Sequence, residues 1–252
     1  MVGPIRAHWP ALPAGVSAFY TLRTGGVSHA PYDDGSGVGG GLNLGDHVGD
    51  EPAAVADNRA RLRAFLPAEP VWLAQVHGVE VVDAAHAVGV PMADASVTSK
   101  SRVVCTVLSA DCLPVLFCDT ERRAVAAAHA GWRGLAADVL QQTVAAMRDR
   151  GARDIIAWLG PAIGPQRFEV GEEVRSAFIA RSALCATAFV PIAARPGKYL
   201  ADLYALARLA LHQVGVHQIA GGGDCTATDA TRFFSFRRDG VTGRMASMIW
   251  LD

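Results

Sequence analysis

Uninterrupted apolar runs of about 18 residues, the length a membrane-spanning helix needs, are missing from this sequence. Met1 to Gly15 holds three prolines and no continuous apolar stretch, so a secretory signal is not expected. Charge is scarce at 19% of residues, below the share of about a quarter usual in globular chains, and 23 basic side chains nearly cancel 24 acidic ones. A nucleic-acid partner is not expected, because the dense basic groups, Arg59-Ala60-Arg61-Leu62-Arg63 and Arg237-Arg238, read as solvated surface. Cysteine is sparse and odd in number, five scattered through 252 residues, which points to a reducing, cytoplasmic setting without disulfide staples. None of the eight histidines forms a His-x-His pair, so the ligand complement of a multicopper oxidase is lacking. Repeats, linkers and an exposed apolar helix stripe are also absent; one domain over residues 1–252 and a monomer are the expectation.

Half of the residues, 51%, are apolar, enough for a substantial core. Ser17 to Thr24 reads as a strand entering a tight loop at Gly25-Gly26, followed by a Gly, Asp and Ser-rich segment from His29 to Gly49 that includes the run 35–41. Asp50 is placed to cap a helix through Val55, Arg59, Leu62 and Leu66. Trp72 to Val76 and Val79 to Val82 read as strands around His77-Gly78. Three apolar runs, Val103 to Ala110, Leu113 to Asp119 and Ala124 to Ala130, form the expected centre of a sheet. Leu135, Val139, Leu140, Val144 and Met147 recur at helical spacing up to Gly151, and helices are also expected over Gly171 to Ala183 and Tyr199 to Val214. Ile155 to Gly160, Phe233 to Phe236 and Met245 to Leu251 read as strands. Strands outnumber helices without regular interleaving, which favours an α+β class with mixed sheets.

Three stretches set a metal-ligating side chain at the end of an apolar run: Gln75-Val76-His77-Gly78, Ala110-Asp111-Cys112-Leu113-Pro114, and Ala128-His129-Ala130-Gly131-Trp132-Arg133-Gly134. One thiolate and two imidazoles match a catalytic zinc site with a position open for substrate, although only a fold can bring residues so far apart together. Cys112 with His129 equally suits a nucleophile and its base, and both readings need the thiolate. An unpaired carboxylate in an apolar interior costs several kcal/mol, so Asp111 argues against simple core packing around Cys112. The turn Gly131 to Gly134 opens a helix N-terminus where an anion binds readily, and Arg133 adds a bidentate donor. Cys105 and Cys118 read as core, Cys225 as a neighbour of the site, and Cys185 has no polar context.

The blocks Thr21 to Ser28, Asn43 to Asp50, Gln75 to Gly78, Ala93-Asp94-Ala95, Ala110 to Asp119, Ala127 to Gly134, Leu159 to Pro165, Phe233 to Gly240 and Arg244 to Leu251 follow one another in an order that resembles a known family. It is the bacterial purine nucleoside phosphorylase family, also described as laccase-domain or polyphenol oxidase proteins. The run Gly35 to Gly40 departs from the pattern as a longer insert. The resemblance implies a single α/β/β/α layered domain of the cytotoxic necrotizing factor-like cysteine hydrolase type. It implies zinc on His77, Cys112 and His129, copper being the lesser alternative. The implied activity is phosphorolysis of adenosine, inosine, guanosine and methylthioadenosine, with adenosine deamination as a second reaction. Purine nucleosides and phosphate are then the partners. On that footing Cys112, His129, His77 and Asp111 are the catalytic candidates, and phosphate is expected on loops carrying Arg23, Asn43, His47 and Arg133. Asp111, Glu169 and Asp224 are the candidates to protonate the departing base. A copper polyphenol oxidase, or a Cys-His amidohydrolase with Cys112 as nucleophile, is the alternative function.

Overall fold

The computed structural model describes residues 3–252. β1 (Ile5–Arg6), β2 (Val16–Tyr20) and β3 (Thr24–Ser28) precede α1 (Pro52–Arg63). β4 (Pro70–Val71), β5 (Val81–Asp83), β6 (Ala95–Thr98), β7 (Val104–Ser109), β8 (Leu113–Asp119) and β9 (Val125–Ala130) follow. Next come α2 (Trp132–Ala136), α3 (Val139–Arg148), β10 (Ile155–Leu159), β11 (Glu169–Gly171) and α4 (Glu172–Ile179). After a 3-10 turn at Ala183–Ala188 the chain ends with β12 (Phe189–Pro191), β13 (Lys198–Ala201), α5 (Leu203–Gln213), β14 (Ile219–Gly221), α6 (Phe236–Asp239) and β15 (Met245–Leu251).

All strands but β3, which makes isolated bridges to Gly41, form three open sheets. One runs β1-β2-β15-β7-β4, a second β14-β10-β8-β9-β6-β5, and a small antiparallel one β11-β13-β12. The first two are mixed, because β4 pairs parallel with β7, and β14 and β5 pair parallel with β10 and β6, beside antiparallel neighbours. The fold is thus mixed α/β with several mixed sheets and no barrel.

The two-residue period of a strand sorts the apolar side chains onto opposite faces. In β8, Leu113, Val115 and Phe117 face a core shared with Leu140, Val144, Leu206 and Leu211 of α3 and α5, while Leu116 and Cys118 face the other way. Those two meet Cys105, Val107 and Ile249 from β7 and β15, so the two large sheets pack face to face. The outer side of the first sheet carries Val104, Leu108, Met248 and Trp250, covered by Leu62 of α1 and by Leu66. Cys105 and Cys118 are fully buried between the sheets, as the sequence suggests.

Several expected elements are displaced, each for an identifiable reason. Trp72 to Val76 is not a strand: past β4 the Gln75 carboxamide gives and takes hydrogen bonds at Leu108, replacing the ladder. Val79 to Val82 shortens to β5, since the amides around His77 turn to a side chain instead. Asp50 does not cap α1, whose N-cap is Glu51; its carboxylate accepts from Ser28, Asn43 and the Glu51 amide. The helix expected from Leu135 breaks into α2 and α3 at Asp138, which sits at φ 78°. The first part of the Tyr199 to Val214 helix is strand β13, and Phe233 to Ser235 is coil leading into α6. No helix among the described residues is long and apolar enough to cross a membrane.

Candidate metal and catalytic centre

The site forms where the ends of the two large sheets meet. His129 in β9 shares the parity of Val125 and Ala127, so it turns toward the inter-sheet side; its ladder partner is Pro114, and Cys112 stands one residue before β8. His77, held at φ 59° in the loop after β4, completes the group. The ligand atoms of His77, Cys112 and His129 all lie within 4.8 Å of one another. The Cys112 Sγ to His77 Nε2 distance is 3.7 Å, and the two imidazoles meet edge to face with ring centres 4.9 Å apart.

One residue not singled out in the sequence as a site residue organises this group. Asp94, fully buried just before β6, accepts from the amides of Val76, His77 and Gly78 at 3.1, 3.0 and 2.7 Å. The same carboxylate lies 2.8 Å from His129 Nδ1, and its backbone carbonyl accepts from the His129 amide. That arrangement leaves His129 Nε2 free to face the thiolate or a cation. A charged residue enclosed by Ala93 and Ala95 was the available clue, by the same burial argument applied to Asp111.

Burial alone pushes the Cys112 thiol up, but the charge and hydrogen bond of His129, together with His77, outweigh it and bring the pKa down to about 6. His129 moves the opposite way: burial lowers it, and the Cys112 thiolate and Asp94 hold it above the ordinary imidazole range. Thiolate and imidazolium therefore stabilise each other. The soft sulfur and two imidazoles also fit a zinc-type cation, with the carboxylate behind His129 that such sites commonly carry.

The glycines of the Gly131 to Gly134 turn serve close packing. A Cβ on Gly131 would lie 2.6 Å from His77 Cδ2 and 3.0 Å from Cys112 Sγ, and one on Gly134 would lie 2.8 Å from the Gly78 carbonyl oxygen. Arg133 is exposed and stacked over Trp132 at 4.4 Å. It does not line the cavity of about 310 Å³ beside the cluster, which is bounded by His47, Gln75, Leu108, Phe236 and Arg244 among others. Of the four residues expected to hold phosphate, His47 alone borders this cavity. Arg23 is buried, donating to the Asp33 and Ala230 carbonyls and pairing with the Asp33 carboxylate. Asn43 is fully buried and holds Gly45, Asp50 and the Arg244 amide.

The carboxylates expected near the reaction are engaged elsewhere. Asp111, at φ 89°, accepts from Thr226 Oγ1 and the Arg237 amide, both at 2.6 Å. Glu169 pairs with Arg195 and Asp224 with Arg232. Cys225 accepts from the Gly164 amide and lines a separate cavity of about 480 Å³ with Asp224 and Arg208. Arg244 and Phe236, by contrast, border the cluster's own cavity and were missed: each sits in a block whose reading as a strand or a family motif gave it no chemical task.

Residues 17–252 match the family described as multi-copper polyphenol oxidoreductase laccase. A Pseudomonas aeruginosa protein named purine nucleoside phosphorylase is 54% identical over 244 residues, covering 97% of this chain and 96% of its own length. One of the same name from Escherichia coli is 53% identical over 250 residues, covering 97% of each chain. Among solved structures, a Neisseria meningitidis protein of the DUF152 family superposes with a TM-score of 0.91 at 50% identity over the full length of both chains. YlmD from Geobacillus stearothermophilus gives 0.84 at 33% identity, over 99% of this chain and 96% of that one.

Proposed function

We propose that this chain, which belongs to the multi-copper polyphenol oxidoreductase laccase family, is a zinc-dependent purine nucleoside phosphorylase acting as one domain in the cytoplasm. The observation that carries the reading is the match, over nearly the whole length, to relatives of that name. Phosphorolysis breaks the C1′–N9 bond, whose electron pair leaves with the base. A phosphate oxygen forms the new bond to C1′, and the base takes up a proton, giving ribose 1-phosphate and free purine.

The residues are suited to this. Phe236, 59% exposed at the rim, offers a flat apolar face to a purine. No carboxylate lines the cavity among the described residues, so His47 is the lining group outside the cluster able to pass a proton to the base. Zinc held by His77, Cys112 and His129 would supply a localised positive charge and Lewis acidity. Copper oxidation of phenols fits less well, because the described residues hold one three-ligand group of this kind. Adenosine, inosine, guanosine and methylthioadenosine are the proposed substrates, with deamination of adenosine by water as a second reaction.

Incubating the zinc-loaded protein with adenosine tests this. Adenine and ribose 1-phosphate are expected with phosphate, inosine without it, and neither after chelation. Absence of both products at full zinc occupancy overturns the proposal. The carboxylate on His129 Nδ1 also favours a second reading, with Cys112, His129 and Asp94 as nucleophile, base and orienting group of an amidohydrolase on a cysteine hydrolase-type fold. That reading requires amide cleavage that survives chelation and ends when Cys112 is alkylated.

A further inference from the structure

We propose that Arg244 is the anion anchor of this site, gripping two oxygens of inorganic phosphate through Nε and Nη2; the identity of the anion rests on the phosphorylase reading above. The residue is built into place from three sides. Its amide donates to Asn43 Oδ1 at 2.8 Å. Its aliphatic stem packs on Gly45, where a Cβ would come within 2.7 Å of Arg244 Cγ. Its Nη1 is tethered by the Thr242 and Gly243 carbonyls at 3.0 and 3.1 Å.

Those contacts occupy one edge of the guanidinium and leave the Nε and Nη2 edge without a hydrogen-bond acceptor among the described residues. That edge is the fork that matches two oxygens of a phosphate. Among the described residues no carboxylate lies within ion-pair distance of Arg244, whereas Arg23 has Asp33 and Arg59 has Asp46. A partly buried cation with no carboxylate in contact is disfavoured by desolvation, and burial lowers the Arg244 pKa by more than the charges of Cys112 and Asp111 raise it. A bound anion removes that penalty. Arg244 borders the same cavity as Cys112, His129 and His47, so an anion on it lies beside the cluster rather than at a remote surface. Asn43 thereby acquires a function one layer behind the ligand, holding the backbone that carries the arginine.

The test compares wild type, Arg244→Gln and Arg244→Lys as zinc-loaded proteins, by calorimetric titration with inorganic phosphate and by phosphorolysis kinetics. Losing a charge-assisted bidentate contact is expected to weaken phosphate binding about 10- to 100-fold. The KM for phosphate should rise alongside, while the KM for nucleoside and the zinc content stay unchanged. Arg244→Lys keeps the charge without the fork and should fall between the two. It carries the test alone if Arg244→Gln does not fold. Phosphate affinity equal to wild type in the folded variant, or no phosphate binding by wild type, overturns the proposal. Phosphate binding that is lost in Arg244→Gln, with no ribose 1-phosphate formed by wild type, sustains the anion site and refutes the phosphorylase reading.

Discussion

A single carboxylate holds two of the three candidate ligands. Asp94 fixes the His77 loop through three amides and His129 through Nδ1. Asparagine at this position keeps the shape but has one acceptor oxygen, and its amide group would face donors. Asp94→Asn is therefore expected to weaken zinc binding about 10- to 100-fold, read by competition with a chromophoric chelator; unchanged affinity would remove Asp94 from this role. The three candidate ligands could be picked out because each stands at the end of an apolar run. The role of Asp94 could not, because its place between two alanines marks a buried charge without showing that its partners are the amides at 76–78 and an imidazole 35 positions away. Arg23 and Asn43 show the opposite difficulty. A sequence marks them as polar and set in glycine loops, but not whether they face the ligand or the protein, and both face the protein.

At the scale of elements, α6 is a piece of the rim held by hydrogen bonds, including those of Arg237 and Arg238 to the Glu169, Thr226 and Phe233 carbonyls, rather than by a buried side chain. It has one turn and no buried residue, and it is latched by Asp111 at the Arg237 amide and capped by Ser235 at the Arg238 amide. Phe233 and Phe234 are both fully buried, which a strand with alternating faces would not produce in this position. The aromatic-rich run Phe-Phe-Ser-Phe resembles a strand, while the serine ahead of Phe236 was the capping signal. Asp111→Asn tolerates the positive φ and can still accept from Thr226, but it presents an amide to the Arg237 N–H. The expected result is a stability loss of about 1–3 kcal/mol and a raised KM for nucleoside through Phe236, with zinc content intact. If zinc content falls in parallel, Asp111 supports the cluster instead of the rim, which a metal assay beside a thermal melt distinguishes.

Across the whole molecule, the sequence exposes the large sheets and conceals the small one. β7, β8, β9 and β15 are buried on both faces and read as continuous apolar runs, whereas β11, β12 and β13 have three or four residues each, mixed in burial, and leave no pattern above the noise of loops. The layers are joined by carboxylates as well as by apolar contact. Asp83 at the end of β5 accepts from Arg150, just beyond α3, at 3.0 Å and from the Ala85 amide. Burial raises its pKa, but the Arg150, Ala85 and His86 contacts outweigh that and hold it below the usual carboxylate range. Its folded pKa is then below the unfolded value of about 3.9, so the unfolded chain takes up the proton first as pH falls. The stability this contributes is present above about pH 4 and is lost as pH drops through the folded value. The pair is partly solvated, so its worth is about 0.2–1 kcal/mol and falls with salt. Thermal melts of wild type and Asp83→Asn should differ most near neutral pH at low salt and converge in acid. A gap that stays constant from pH 7 to pH 3 would mean that the Asp83 charge does not join the sheet edge to the helix layer.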